Sequence, residues 1–382
     1  MNEKFQNILV VTSKYHVERS NPYLTNDLVH ELSCHVKKVA VIGLGEKTII
    51  SSDGNVVENI IGIQSRIKFL KYFFIWPKLF ISMVMILYKE RNIDQIIIFA
   101  PLSVLWPAVL VSKLVKVKNK SVIVFDLFPI HQLQIGSIPS SLGPMAKWFE
   151  SFLLSGFHKI TAMGPNNKSY IERYYSTVSM KSDVTILPLW SRPVKVRSVV
   201  NFRSEVTKFV FGGQIIKGRE VESMINFLQL MLDRGLKLSL DIYSRGEGFE
   251  YLKSKYPNAD WIKFCDQVPR DEYFSMLSRY HIGLVVTDRR VTLPTFPSKI
   301  LDYVNAGLIS YCIVESETDV ANLPINRPLL YLNHFDFSMD EVDKSIRFFN
   351  SVKLLDSIEL EKSFVSLRKY FSVKSAVLRL LQ

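Results

Sequence analysis

The segment 209–222 ends an apolar, β-prone run with two glycines, Gly212 and Gly213, and then passes through a short basic loop into a helical pattern. Such a turn leaves backbone N–H groups free at a helix N-terminus, where a phosphate also meets the positive end of the helix dipole. Lys217 and Arg219 add positive charge to this loop. The pattern favours a phosphate site, although an ordinary strand–turn–helix with solvated basic residues has the same composition. It is neither a GxGxxG fingerprint nor a Walker loop.

A second segment, 295–307, has the composition of a capped helix followed by a strand. Pro297 fixes the chain direction, and Ser298 is a residue type that caps helix N-termini. Gly307 is placed to close the helix. Lys299 comes one residue after the expected cap, so its ammonium is predicted to point at an anion near the helix start.

The elements that must position these residues form two series of short β-branched runs alternating with amphipathic segments, a pattern typical of parallel strands joined by helices. Strands are predicted at 7–12, 39–43, 95–99, 121–125, 159–163, 184–187, 208–211, 238–243, 261–264, 282–287 and 308–314. Helices are predicted at 22–36, 219–234, 271–280, 298–306, 342–352 and 373–381.

A proline-bracketed stretch at 188–193 separates the two series. We therefore predict a first domain at 1–195, a second domain at 196–365, and a closing segment at 366–382 that packs back toward the first. Both domains are expected to be α/β and doubly wound. In such sheets a ligand binds outside the carboxyl ends of the strands.

Charge and cysteine content narrow the class of protein. The 382-residue chain carries a net charge of +12, which implies an anionic partner: nucleic acid, a membrane surface or a phosphate-bearing small molecule. Residues 1–190 hold 21 Lys and Arg against 13 Asp and Glu, or +8, and the remainder holds 27 against 23, or +4. Three scattered cysteines and the lack of a recognisable signal peptide predict free thiols and a cytoplasmic protein.

The segment 72–88 is apolar and aromatic but is interrupted by Pro77 and Lys78. Its uninterrupted apolar run is about half of the ~20 residues that a membrane-spanning helix needs. Its basic flanks suit a helix that lies in a lipid interface, while a core helix covering a sheet has the same composition. The two interpretations are compatible, because one face of the helix can pack while the other meets lipid.

The order of motifs resembles the family 4 retaining glycosyltransferases, most closely the bacterial O-antigen, capsule and exopolysaccharide enzymes. Three motifs carry the likeness: the Gly-Gly turn, the Tyr-Ser-Arg-Gly-Glu-Gly turn at 243–248, and Pro-Ser-Lys-Ile-Leu-Asp-Tyr at 297–303, which is similar to the family's P-S-K-x-x-E-Y pattern with Asp302 at the Glu position. The Asp-Leu-Phe-Pro turn at 126–129 is similar to the D-L-x-P turn of the family's acceptor-side domain. The resemblance covers most of the chain.

The resemblance implies a GT-B fold, in which two Rossmann-like domains face each other across a cleft, and a nucleotide-sugar donor. The predicted donor site comprises Gly212, Gly213, Gln214, Lys217, Arg219, Tyr243, Gly246, Phe264, Val268, Pro297, Ser298, Lys299 and Asp302. The residues predicted to be catalytic are Arg219, Lys299 and His131, and those predicted on the acceptor side are His16, Asp126 and His131. For His16 and His131 an idle surface histidine is an equal alternative.

The sequence departs from the family pattern at four positions. Gln214 stands where the family has arginine, and Arg219 stands where it has lysine. Pro294 stands where the family has the first of two glutamates, and Asp302 replaces the second. No Asp-x-Asp motif, zinc-ligand spacing or Ser-His-Asp set is present. The resemblance implies a retaining transfer, and the lack of these motifs leads us to expect that it needs no metal or other cofactor.

The expected partners are a nucleotide sugar, a polyprenyl-diphosphate-linked saccharide acceptor and the anionic inner face of the plasma membrane, with no nucleic acid. Two other functions remain open at this point. A nucleotide-sugar epimerase with the same fold would use the same diphosphate site. A non-enzymatic protein that binds an anionic membrane or nucleic acid is supported only by the charge.

Overall fold

The computed structural model describes residues 7–15, 24–45, 47–62, 68–90, 92–125, 127–192, 202, 204–215, 219–324 and 329–382, without the side chains of 68–72, 179, 270 and 271. The chain divides into two compact units. Unit 1 comprises Met1–Arg192 and Ser372–Gln382, and unit 2 comprises Pro193–Phe371. The boundary thus lies three residues before the position expected from the sequence, and the returning segment begins at Ser372 rather than at 366.

Unit 1 is built on an eight-stranded sheet in the order β3-β4-β2-β1-β5-β6-β7-β8, parallel except for the antiparallel pair of β3 and β4. Its strands are β1 (Asn7–Thr12), β2 (Lys38–Gly45), β3 (Ile49–Asp53), β4 (Val56–Gly62), β5 (Gln95–Phe99), β6 (Asn119–Ile123), β7 (Lys159–Ala162) and β8 (Asp183–Ile186). Its helices up to β8 are α1 (Leu24–Ser33), α2 (Lys68–Lys89), α3 (Trp106–Leu114), α4 (Ile130–Gln134), α5 (Gly143–Leu154), α6 (Pro165–Tyr174) and α7 (Ser176–Ser179).

Unit 2 is built on a six-stranded parallel sheet in the order β11-β10-β9-β12-β13-β14. Its strands are β9 (Thr207–Gly212), β10 (Leu238–Ser244), β11 (Ile262–Asp266), β12 (Ile282–Val286), β13 (Ile309–Ile313) and β14 (Leu330–Asn333). Its helices are α8 (Val221–Asp233), α9 (Glu247–Lys255), α10 (Arg270–Leu277), α11 (Lys299–Ala306), α12 (Met339–Val352) and α13 (Ser357–Tyr370).

The central strands of both sheets are buried on both faces, as expected for parallel strands covered by helices. β5, β12 and β13 are buried at every position. The closing helix α14 (Val373–Leu380) belongs to unit 1, where it packs against α1. Trp190 lies in the same core and donates from Nε1 to the carbonyl oxygen of Leu24 at 2.8 Å. The proline-bracketed stretch therefore belongs to unit 1 up to Arg192, and Leu189 and Trp190 are buried there.

Candidate functional site

The strand order of unit 2 reverses between β9 and β12. From β9 the chain moves outward through β10 to β11, and from β12 it moves the other way through β13 to β14. Such a switch point opens a crevice at the carboxyl ends of the two central strands, where doubly wound folds bind ligands. The loops after β9 and β12 meet there, because Arg219 forms an isolated backbone bridge with Asp288.

Gly213 marks the centre of this crevice. Its φ of +149° is one that residues with a side chain rarely adopt. Its amide donates to the carbonyl oxygen of Tyr243 at 3.2 Å, which ties the turn to the end of β10. A Cβ at this position would lie 3.6 Å from Nη1 of Arg219 and 3.8 Å from Cε of Lys299. Two cationic side chains therefore flank one exposed stretch of glycine backbone.

Arg219 is held by its own loop. Its Nη1 donates to the carbonyl oxygen of Gln214 at 2.8 Å. Desolvation by the surrounding loop lowers the pKa of Arg219, and the nearby carboxylate of Asp288 acts in the opposite direction. An arginine stays charged at neutral pH under such influences. The Asp288 carboxylate is itself engaged by Arg290 in an ion pair of 2.5 Å. A positive group is thus fixed at the rim of the crevice.

Lys299 is the first residue of α11 and comes from the other side of the crevice. Its Nζ lies 3.1 Å from Oδ2 of Asp302 and 5.0 Å from the ring centroid of Tyr273. The lysine side chain is 37% exposed, so its ammonium remains open to an anion from solvent. The helix dipoles of α8 and α11 both point their positive ends toward this side of the sheet.

The predicted cap at Ser298 is wrong, whereas the predicted stop at Gly307 is confirmed by its φ of +76°. Ser298 has helical angles and makes no side-chain capping bond. The amides of Ile300 and Leu301 instead donate to the carbonyl oxygens of Pro297 and Ser298, at 3.2 and 3.0 Å. These tight i to i−3 bonds occupy the donors that a cap would have served.

The other predicted donor-site residues are more scattered within unit 2. Tyr243 is buried, and its hydroxyl pairs with that of Tyr280 at 2.9 Å. Gly246 precedes α9 with a φ of +96°. Phe264 packs edge to face on Phe249, and Val268 follows β11, two strands away from β9. The structure therefore brings together Gly212, Gly213, Gln214, Arg219, Pro297, Ser298, Lys299 and Asp302.

On the acceptor side, His131 lies in the first turn of α4 in unit 1, where its amide donates to the carbonyl oxygen of Leu127 at 3.0 Å. His16, Asp126 and Lys217 lie outside the described residues. Within the described ranges, no group of three or more His, Cys, Asp or Glu side chains is placed to hold a metal ion.

Two tyrosines beneath the crevice were not predicted. A Cβ on Gly212 would lie 2.0 Å from the hydroxyl oxygen of Tyr273, and a Cβ on Gly283 would lie 2.3 Å from the ring of Tyr303. These strand glycines thus make room for the two rings. A glycine inside a buried strand is a signal of such close approach, and it was available in the sequence.

Several solved structures are similar to this protein over nearly its whole length. Sucrose-phosphate synthase from Thermosynechococcus elongatus is similar with a TM-score of 0.73 and 13% identity, over 98% of this chain and 97% of that one. The lipopolysaccharide outer core galactosyltransferase WaaB, in its apo form, gives 0.63 and 13%, over 97% and 98%. The E. coli trehalose-6-phosphate protein bound with UDP-2-fluoro glucose gives 0.69 and 10%, over 98% of both chains.

The chain has the GT-B fold. This confirms the fold class predicted from the sequence. No protein-family model and no curated protein sequence matches the chain. Because one fold hosts many chemistries, the activity of this GT-B protein has to be argued from the crevice itself.

Proposed function

We propose that this protein is a glycosyltransferase that binds a nucleotide-sugar donor through its diphosphate in the β9–β12 crevice of unit 2. The observation that carries the proposal is Gly213, where the space that a side chain would enter is flanked within 4 Å by Arg219 and Lys299. A diphosphate needs several positive partners at close range, and two cations beside two helix N-termini meet that need. The bound UDP-2-fluoro glucose of a structure with the same fold supports the same class of ligand.

The two cations suit the chemistry of glycosyl transfer. As the bond to the sugar breaks, negative charge grows on the departing nucleoside diphosphate, and fixed positive groups stabilise that charge more than they stabilise the bound donor. Arg219 and Lys299 would supply this stabilisation, and Asp302 would accept a hydroxyl of the donor ribose. We propose that the transfer retains the configuration of the sugar, as the motif resemblance implies, and that it needs no metal.

A panel of nucleotide sugars tests the donor site. Thermal unfolding would be followed with UDP-, GDP-, ADP- and dTDP-sugars, each in EDTA and again with magnesium or manganese. A donor at 100 times its dissociation constant should raise the free energy of unfolding by about 2.7 kcal/mol. We expect one nucleotide class to stabilise the protein in EDTA.

Two results of the thermal-unfolding panel would contradict the proposed donor site or its mechanism. Stabilisation only in the presence of a divalent metal would remove the metal-free mechanism, and no stabilisation by any donor would remove the site. Conversion of a nucleotide sugar into its epimer without an acceptor would identify the alternative epimerase.

For the acceptor we propose a lipid-linked saccharide at an anionic membrane surface. WaaB and WaaG, two proteins with the same fold, are described as a lipopolysaccharide galactosyltransferase and a glycosyltransferase of lipopolysaccharide biosynthesis. In this chain, no helix within the described ranges is long and apolar enough to cross a membrane. Attachment would therefore depend on a surface of unit 1.

Helix α2 presents such a surface. One face is core, with Ile75, Leu79, Met83 and Ile86 buried. The opposite face carries large apolar side chains that are between 43% and 73% exposed: Phe73, Phe74, Phe80, Ile81, Val84, Met85 and Tyr88. An apolar area of this extent on a folded protein marks an interaction site. The buried face agrees with the core-helix interpretation, and the exposed apolar face supports the proposal that the helix also meets lipid.

The exposed surface continues beyond α2. Helix α3 contacts α2 on one side and α5 on the other. On α5, Met145, Trp148 and Phe152 are 61%, 67% and 43% exposed. The only acidic residue in α2, α3 and α5 is Glu150, which is buried, while Lys78 and Lys89 are exposed. Aromatic side chains within a basic rim match an anionic bilayer, where each basic residue contributes about 1 kcal/mol.

Sedimentation with liposomes tests this surface. We expect the protein to pellet with anionic vesicles at low salt, and to pellet poorly with neutral vesicles. Replacing Phe73, Phe74 and Trp148 by serine should release it. The matched control replaces three equally exposed apolar residues elsewhere, Ile50, Leu354 and Ile358. Equal loss in both triple variants, or a wild-type protein that stays in the supernatant with anionic lipid, would refute the assignment.

A further inference from the structure

We propose that Tyr273 is a positioning residue for Lys299, holding the lysine ammonium over its ring face beside Gly213. This inference rests on the proposed donor-diphosphate site and adds a residue outside the motifs that predict that site. Tyr273 belongs to α10, which passes beneath the crevice, and its own side chain does not line the surface that a donor would meet.

The ring of Tyr273 is fixed in place. Its side chain is 8% exposed and meets the ring of Tyr243 edge to face, with 5.9 Å between centroids. Its hydroxyl fills the space over Gly212, where even a methyl group would clash. By geometry that hydroxyl has no hydrogen-bond partner among the described residues, although it interacts electrostatically with the hydroxyl of Tyr303. Packing is therefore what holds the ring in place.

The ring lies against Lys299, which is a flexible cation. Nζ of Lys299 is 5.0 Å from the ring centroid, within the range of a cation–π contact. A lysine side chain has four rotatable bonds, so an ammonium with no fixed partner spends little time in one place. Arg219 does not share this problem, because its guanidinium is anchored to its own loop.

The carboxylate of Asp302 holds Lys299 as well, at 3.1 Å, but with a different consequence. A carboxylate neutralises the charge that a diphosphate would need, whereas an aromatic face attracts the ammonium and leaves its charge available. When an anion enters and Asp302 turns to another partner, the ring still confines the ammonium to the crevice. The ring therefore holds the Lys299 ammonium in position without neutralising its charge.

A double-mutant cycle in ligand binding separates this role from general packing. Calorimetry with inorganic pyrophosphate and with UDP would compare the wild type, Tyr273→Phe and Tyr273→Leu, each also in a Lys299→Ala background. We expect Tyr273→Leu to weaken binding about fivefold, the equivalent of about 1 kcal/mol. Tyr273→Phe keeps the ring and should bind within twofold of the wild type. In the Lys299→Ala background, Tyr273→Leu should have no further effect.

A second experiment needs no ligand. It tests the contact between Tyr273 and Lys299 even if neither pyrophosphate nor UDP binds. Reductive methylation with ¹³C labels the lysines, and the Lys299→Arg variant assigns the Lys299 resonance. In the wild type and in Tyr273→Phe, the methyl protons of Lys299 should be shifted upfield by the ring current, and in Tyr273→Leu they should not.

An unshifted Lys299 resonance in the wild type would overturn the inference. So would a fivefold loss that persists without Lys299, or wild-type affinity in Tyr273→Leu. If neither pyrophosphate nor UDP binds the wild type while the resonance is shifted, the donor site fails and the positioning contact stands.

Discussion

Replacing Lys299 with alanine is expected to lower turnover of the donor sugar by 100- to 1000-fold while the fold persists. Removal of one group that stabilises growing negative charge typically costs about 3 to 4 kcal/mol in the transition state. Lys299 is placed for this role because its Cε lies 3.8 Å from the position that a Cβ on Gly213 would take, close to Arg219. Its side chain is partly exposed, and among the described residues its ion pair is with Asp302 in the same helix, so its loss should leave unit 2 intact.

The measurement is steady-state transfer or donor hydrolysis, with circular dichroism and thermal unfolding matched to the wild type. Lys362→Ala is the control, because Lys362 is also an exposed helical lysine of unit 2 but lies on α13. Turnover of Lys299→Ala within twofold of the wild type would exclude the lysine from the reaction. Lys299→Arg should recover part of the activity, because it restores the charge with a different geometry.

The sequence was sufficient to predict the fold class because a parallel sheet leaves a simple pattern. Strands such as β1, β5 and β12 are buried on both faces and therefore appear as unbroken apolar runs. The strands that were not predicted lack this property. β3 has the sequence Ile-Ile-Ser-Ser-Asp and is largely exposed at the sheet edge, and β14 has only four residues. Edge strands are defined by their neighbours in the sheet more than by their own composition.

The candidate site was predictable to the extent that it depends on local chain features. Gly213 and Gly307 have φ angles that favour glycine, and Lys299 lies two residues after Pro297, so local sequence was enough to place them. Tyr273 could not be placed in this way. Its contact with Lys299 exists because α10 passes under the loop after β9, and that arrangement follows from the order of strands in the sheet.

Helix α2 likewise has one feature that the sequence predicts and another that only the packed structure shows. Its apolar pattern predicted a helix, but a run that is apolar on every side does not reveal which side meets the sheet. Only the packed structure separates the buried Ile75 and Leu79 from the exposed Phe74 and Met85. The continuation of the apolar surface onto α5 depends on three helices lying side by side, which no local pattern encodes.

Glu150 provides a test of unit 1 that is independent of any ligand. Its side chain lies in the core face of α5 and is 4% exposed, and its Oε2 has no hydrogen-bond partner in the part of the chain that is described. Burial raises the pKa of Glu150 from an ordinary value of 4.5 to about 8. The phenol of Tyr175 lies nearby, and its pKa is raised in part by Glu150. The folded protein therefore keeps a proton on this carboxyl at neutral pH.

The consequence for stability follows from proton binding. Between about pH 4.5 and pH 8 the folded state holds the Glu150 proton and the unfolded state has lost it, so the free energy of unfolding falls as the pH rises through this window. Glu150→Gln removes the ionisation and keeps the shape. Its stability relative to the wild type should therefore increase with pH, from about 1 kcal/mol at pH 5 toward an upper bound of about 5 kcal/mol at pH 8.5.

Denaturant unfolding at pH 5 and pH 8.5 measures this difference, and tryptophan fluorescence can be confined to the relevant unit. Trp76, Trp106, Trp148 and Trp190 lie in unit 1, so a Trp261→Phe background leaves only reporters of unit 1. Glu172→Gln is the matched control, because Glu172 lies in the same unit and its side chain is 43% exposed. A gain for Glu150→Gln that is the same at both pH values would show that the carboxyl ionises normally in the folded protein. A gain that is several times larger at the higher pH would show that the fold holds this carboxyl in its neutral form.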